Sequence, residues 1–252
     1  MTRPSFCVDN LDKFGLWFSS EQLVALACID ENLGNGIICV QDDNKYLLDE
    51  MVEYAKENLH KNKSLTFLVP DLDKTYQQAV AKAGFRPTQE RDTDSIIQID
   101  MENLRYTLPE GFHITDMAHN YDPFQFDRIM HRGFSGDLVE RTRTLTDIEY
   151  VDRQFKRPFT NLDLQIAVIA PDKTWAAFCG MWQTKESREA FIEPVVTDPS
   201  YQKMGLGKAA VYEALFRCGK SGAESAVVFS SKQFYFSIGF RPNSTSTWWE
   251  NI

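Results

Sequence analysis

The sequence predicts an α+β chain, a mixed α/β sheet with helices, built as two unequal halves. Three observations carry this. A strand runs through a glycine-bearing loop into a helix at residues 191–216. Gly84-Phe85-Arg86-Pro87 recurs as Gly239-Phe240-Arg241-Pro242, each time after a short helical stretch. Around both copies the order strand, strand, helix, strand, helix, Gly-Phe, strand repeats. Four identical residues alone fall within chance, but their agreement with the order of elements makes duplication the better reading. The halves meet near residues 104–111, where Pro109-Glu110-Gly111 is a turn, which gives domains over residues 1–104 and 105–252.

In the first half, Phe14, Leu16, Trp17 and Phe18 open a strand. The apolar runs 23–29 and 36–40, separated by Asn-Leu-Gly-Asn, read as a hairpin. Residues 45–59 are amphipathic, with Leu48, Met51, Val52, Ala55 and Leu59 on one helical face. Strands follow at 64–69 and 95–100, with a helix at 76–83 ending on Gly84. The second half is fuller. A strand at 112–117 precedes helices at 123–134 and 144–155, then strands at 164–170 and 174–184 about the Pro171-Asp172 turn. A strand at 224–229, a short helix through Tyr235 and a closing strand at 241–249 complete it.

Composition bounds the function. Apolar residues at 43% and charged residues at 25% are those of a globular chain. A net charge of −9 argues against a nucleic-acid partner, which would want a basic stripe. No apolar run is long enough to span a bilayer, so no membrane association is expected. The N-terminal residues lack a signal or transit pattern, so the expected location is cytoplasmic. The five cysteines, at 7, 28, 39, 179 and 218, are odd in number and scattered, as for reduced thiols. Neither they nor the four histidines show metal-ligand spacing, and no metal is expected.

The stretch 191–216 carries the chemistry. The first N–H groups of a helix lack partners, its dipole adds positive charge, and glycines allow close approach, so such a loop can hold a pyrophosphate. A nucleotide-triphosphate loop would need Ser or Thr where Ala209 stands. A dinucleotide fingerprint, a minor reading, would place Ala210 at its third glycine and Glu224 as its acid. The whole stretch more closely resembles the acetyl-CoA loop of the GNAT N-acetyltransferases, Gln/Arg-x-x-Gly-x-Gly/Ala after a strand, filled by Gln202, Gly205 and Gly207. Downstream, Phe234-Tyr235-Phe236-Ser237-Ile238-Gly239-Phe240 matches that family's Phe-Tyr-x-x-x-Gly-Phe ending. With the duplication, the chain resembles a tandem GNAT protein.

The resemblance implies two GNAT domains, the first truncated and without a coenzyme loop, the second complete. In the first, Asp42 and Asp43 stand at the helix start, no glycine pair is present, and Val80 takes the place of Tyr235. It implies acetyl-CoA as co-substrate, bound by the edge of Val195, Val196 and Thr197 and by Gln202, Lys203, Met204, Gly205, Leu206, Gly207 and Lys208. Glutamine at 202 replaces the family's frequent arginine and gives up a charge. Tyr235 is the candidate general acid, beside the coenzyme sulfur, although an asparagine frequent upstream is replaced by Ser230, Ser231 and Gln233. Glu193 is the candidate general base, with alternation placing it on the face of Phe191 and Val195. An arginine-paired structural carboxylate is the alternative reading of Glu193. The acceptor pocket is expected from the first two helices and their loop, with His131, Arg132, Phe134 and Trp182 as candidates near it, each equally readable as packing or surface; Arg141, Arg143, Arg153 and Arg157 read as a solvated face.

The function expected is transfer of acetyl to a primary amine, on a small molecule or a peptide, by direct attack. An acyl-CoA-binding sensor or interaction module without turnover is the alternative. Aminoacyl or longer acyl transfer keeps the fold and changes the donor. Trp248 and Trp249 leave packing and a homodimer interface both open.

Overall fold

The computed structural model describes residues 8–29, 32–138, 142, 144–157, 160–184 and 186–251. Cys7, Arg141 and Arg143 lie outside them. The elements are β1 (Gly15–Ser19), β2 (Gln22–Ile29), β3 (Asn35–Val40), α1 (Leu48–Asn58), β4 (Thr66–Pro70), α2 (Lys74–Lys82), β5 (Phe85–Gln98), β6 (His113–Asp116), α3 (Pro123–Ser135), α4 (Leu145–Phe155), β7 (Gln165–Ile169), β8 (Trp175–Trp182), β9 (Glu189–Thr197), α5 (Leu206–Lys220), β10 (Ser225–Val228), α6 (Gln233–Ser237) and β11 (Arg241–Asn251). The chain forms two compact units, Met1–Asp94 with Pro242–Ile252, and Ser95–Arg241.

In the first unit the strand order is β1-β2-β3-β4-β11-β5. The apolar face of α1 supplies Leu48, Val52 and Ala55 to a core shared with Ala27, Ile29, Phe67, Val69, Val80 and Phe85. Burying each of the larger side chains contributes about 1.5–3 kcal/mol. Asp73 caps α2 by accepting the Tyr76 N–H at 3.0 Å. Gly84, at φ +93°, takes the left-handed conformation just after that helix, as Gly239 does at φ +97° after α6, so both copies of the Gly-Phe repeat make the same turn.

Three sequence expectations change here. The helix expected from residue 45 begins as a 3-10 turn, Asp42–Leu47. Asp42 and Asp43 lie in that turn but make no side-chain cap; Asp42 pairs with Lys45 at 2.9 Å, and Lys45 reaches Asp73 at 3.1 Å. β5 starts at Phe85 rather than residue 95; residues 86–94 are polar and largely exposed and show no alternation, so no strand was expected there. The closing strand, expected within the second half, belongs to the first unit. β11 pairs antiparallel with β4 from Ser246↔Pro70 to Glu250↔Thr66, Trp249 packs on the first core, and Thr247 Oγ1 donates to Asp71 at 2.6 Å. The compact units therefore part at Asp94/Ser95 and Arg241/Pro242 instead of at 104/105.

In the second unit the residues 95–98 of β5 lead the order β5-β10-β9-β8-β7-β6. The β10–β9 pair is parallel; the others are antiparallel. The sheet has helices on both faces. Leu206, Ala210, Val211, Ala214, Leu215 and Cys218 of α5 pack on Ile166, Val168, Ala177, Cys179 and Ile192. On the other face Phe126 and Ile129 of α3 and Val151 and Phe155 of α4 pack on Ala167, Ile169, Phe178 and Val196. Both helices are capped as their sequences indicate. Asp122 accepts the Gln125 N–H before Pro123, and Thr144 and Asp147 form a capping box.

Candidate functional site

The site is built where β9 and β10 part. β10 pairs with β9 only at Ser225↔Glu189, Ala226↔Ala190 and Val227↔Phe191, while Val228 pairs away with Ser95 of β5. Beyond Phe191, β9 keeps its partner β8 on one side, as far as Thr197↔Ala177, and has no strand partner on the other among the described residues. The rings of Phe191 and Phe229, 4.8 Å apart, stand at the point of divergence. Backbone donors and acceptors of Val195, Val196 and Thr197 thus line an open strand edge.

The loop after β9 completes the opening. Gly205 is the N-cap of α5 at φ +80°, with nothing within 4 Å of where a Cβ would stand. It offers no side-chain cap, so the N–H groups of Leu206, Gly207 and Lys208 remain for a ligand, the first helical bond being Ala209 N–H to the Gly205 carbonyl at 3.0 Å. Gly207 is required for a different reason. A Cβ there would lie 2.9 Å from Thr197 Oγ1 and 3.4 Å from the Phe234 ring, so the first turn of α5, the end of β9 and α6 converge on it. Lys208 lies over the Tyr212 ring at 4.9 Å, and Lys203 takes a left-handed φ of +62° in the loop. Gln202 and Met204 complete that loop, with Met204 exposed.

Tyr235 is buried on α6, its ring at 5.1 Å from Phe234 and 5.4 Å from Phe240. Burial, then the neighbouring Cys179 thiol, then the Glu193 carboxylate push its phenol well above the ordinary tyrosine range. Glu193 and Tyr235 are therefore brought within electrostatic reach of each other, and the phenol is protonated at neutral pH. Glu193 is half-buried, and its backbone carbonyl accepts the Trp182 indole N–H at 2.7 Å.

The alternation expected along β9 fails across Pro194. Val195 packs on the cluster that holds Ile192, whereas Val196 packs on the opposite cluster with Phe126 and Ile129. The cause is a bulge. Cys179 pairs with Val195 and Met181 with Ile192, so Glu193 and Pro194 together oppose Gly180.

The sequence reading missed what anchors the loop. Asp198 is fully buried, and Arg132 donates to it from Nε at 2.7 Å and from Nη2 at 3.1 Å, while Arg128 Nη2 lies 3.1 Å away. Arg132 also donates to Ser200 Oγ at 3.1 Å and the Leu138 carbonyl at 2.6 Å. Burial pushes the Asp198 carboxyl up, but the Arg132 hydrogen bond, the Ser200 N–H and the charges of Arg132 and Arg128 together hold it below the usual carboxylate range. The sequence shows only that Arg128 and Arg132 are one helical turn apart; their pairing with Asp198, 66 residues after Arg132, leaves no local signal. Arg132, placed by sequence near the acceptor, is thus committed to the loop. Phe134 is exposed on α3 and His131 is half-buried beside it.

Among the described residues, Asp116, His119 and Asp163 place potential ligand atoms within 4.8 Å of one another. Arg217 donates to Asp116 at 2.5 Å and to the Asp163 carbonyl at 2.8 Å, and His119 Nδ1 lies 2.7 Å from Asp116. No described helix is long and apolar enough to cross a membrane.

Residues 135–240 match the model of the acetyltransferase (GNAT) family. No curated protein sequence matches the chain. Among solved structures, a tandem GNAT protein from the clavulanic acid biosynthesis pathway superposes with a TM-score of 0.65 at 12% identity, covering 97% of this chain and 84% of that one. A GCN5-related N-acetyltransferase from Sphaerobacter thermophilus superposes at 0.62, with 11% identity and coverage of 92% and 77%. L-PGS from Bacillus licheniformis superposes at 0.57, with 10% identity and coverage of 95% and 84%. At identities this low the likeness shows a shared fold and nothing further.

Proposed function

Since the chain carries a domain of the acetyltransferase (GNAT) family over residues 135–240, an acyl-transfer fold, we propose that it moves acetyl from acetyl-CoA to a primary amine. The observation that carries this is the divergence of β9 from β10 beside the uncapped N-terminus of α5. The opening offers an edge for an amide-bearing arm at Val195, Val196 and Thr197. Beside it lie N–H donors for a pyrophosphate at Leu206, Gly207 and Lys208. Gln202, Lys203 and Met204 extend that cradle, and Gly205 lets the chain turn into it.

In this reading Glu193 accepts the proton that the amine loses as its nitrogen bonds to the acetyl carbon. Tyr235 donates its phenolic proton to the sulfur as the carbon–sulfur bond breaks, and is reprotonated from solvent. A phenol held protonated by burial suits that role, and a half-buried carboxylate at a bulge suits the other. The acceptor, a small molecule or a peptide, enters from the side of α3 and α4. No metal takes part, and the protein acts in the cytoplasm. The first unit, with acids in place of glycines at Asp42 and Asp43, is a truncated copy without a coenzyme site.

The test is chromatographic detection of free coenzyme A on a panel of primary amines with acetyl-CoA, and with longer acyl and aminoacyl donors in parallel. Turnover with acetyl-CoA supports the reading. Binding of acetyl-CoA without turnover on any amine would leave a sensor, and turnover only with other donors would replace acetyl.

A further inference from the structure

Gln165, the first residue of β7, is fully buried, and the acid, base and coenzyme contacts above do not use it. A buried amide costs free energy unless it is bonded, so an apolar side chain, as at Ile166, Ala167 and Val168, is the ordinary choice. Gln165 Nε2 has a partner and its Oε1 has none among the described residues, so the exception lies in where the amide sits. It pairs with Gly180 across the β7–β8 ladder, so its side chain points to the face on which Gly180 has none. Gly180 is the residue that faces the bulge of Glu193 and Pro194. A Cβ on Gly180 would lie 2.5 Å from the Glu193 carbonyl oxygen, 2.8 Å from Gln165 Oε1 and 3.0 Å from Pro194 Cδ. The amide of Gln165 fills that space, and its Nε2 donates to the Met181 carbonyl at 3.2 Å, at the point where the β8–β9 ladder is interrupted.

We propose that Gln165 is a positioning residue whose side-chain amide replaces a ladder bond lost at the Glu193-Pro194 bulge, locking the register that aims Glu193 and holds the β9 edge apart from β10. Two devices then fix the bulge. Gln165 holds the β8 side through Met181, and the Trp182 indole holds the β9 side through the Glu193 carbonyl. Gly180 is the space both need. The role of the bulge in aiming a base rests on the acyl-transfer reading; the locking of the bulge does not.

The experiment compares the full chain with Gln165→Met, which keeps the size and removes the donor. It adds Gln165→Glu, whose buried carboxyl stays neutral and can still donate to Met181. Amide hydrogen exchange is read residue by residue, and acetyl-CoA affinity by calorimetry. In Gln165→Met, exchange is expected to rise about ten-fold or more at residues 178–182 and 193–197 while α5 and β6 keep wild-type protection. The acetyl-CoA Kd is expected to rise about ten-fold, with Gln165→Glu restoring both. Unchanged exchange at the bulge in Gln165→Met, or a rise spread evenly over the unit, would overturn the proposal. A wild type that does not bind acetyl-CoA would overturn the acyl-transfer reading and leave the exchange comparison to decide this one. Should Gln165→Glu fail to fold, Gln165→Met alone decides.

Discussion

At the scale of single residues, the proposed chemistry rests on Glu193 and Tyr235, and the loop beside them is anchored at Asp198. Tyr235→Phe keeps the ring contacts with Phe234 and Phe240 and removes the proton donor, so steady-state turnover is expected to fall roughly 10²-fold with acetyl-CoA affinity unchanged. Full turnover in that variant would remove the phenol from the acid role. Asp198→Asn leaves Arg132 and Arg128 facing a neutral amide in a buried place, and denaturant unfolding is expected to show a loss of about 3 kcal/mol. The same carboxylate carries a pH signature. Its folded pKa is depressed, so its stabilising contribution is present above the unfolded carboxylate value of about 4 and is lost as the pH falls through the folded value. The acid-side decline in wild-type stability is therefore expected to be shallower in Asp198→Asn. Tyr235 and Glu193 were legible as candidates because a sequence motif and an apolar strand marked them. Asp198, Arg132 and Gln165 were not, because their roles depend on pairings across the fold that no local pattern records.

At the scale of elements, the strand-loop-helix of β9 and α5 was readable because its parts are local: an apolar strand, glycines at the turn, and a helical apolar face. Gly205 is the element's hinge. At φ +80° an alanine is strained by roughly 1–2 kcal/mol even though its Cβ meets nothing, so Gly205→Ala is expected to lower the melting temperature. A melting temperature equal to that of the wild type would show the turn is not needed as drawn. Other elements were obscured by their surroundings. After the buried Phe85, residues 86–94 of β5 are polar and largely exposed, so neither alternation nor an apolar run announced a strand. The bulge in β9 broke the alternation from which the face of Val195 was inferred. Helix α4, by contrast, was expected over residues 144–155, and the structure starts it after a Thr144–Asp147 capping box, a device that needs no tertiary context.

At the scale of the whole molecule, the Gly-Phe-Arg-Pro repeat was visible in the sequence, and both its glycines make the same left-handed turn. What sequence order could not show is that β11, last in the chain, belongs to the first compact unit, between β4 and β5. Non-local strand pairing leaves no trace in local propensity. A chain ending at Arg241 is accordingly expected to lose protection in β4, α1 and α2, read by hydrogen exchange, because the edge of β4 and the core beneath Trp249 are uncovered. In the proposed reaction the α5 loop holds an acyl-coenzyme A. The most direct measurement of that claim is thermal unfolding of the full chain with and without acetyl-CoA, beside Gly205→Glu, which sets a carboxylate at the open N-terminus of α5. With acetyl-CoA at one hundred times its dissociation constant, the wild type is expected to gain roughly 2.7 kcal/mol and the variant nothing. A folded wild type that gains nothing would contradict the claim.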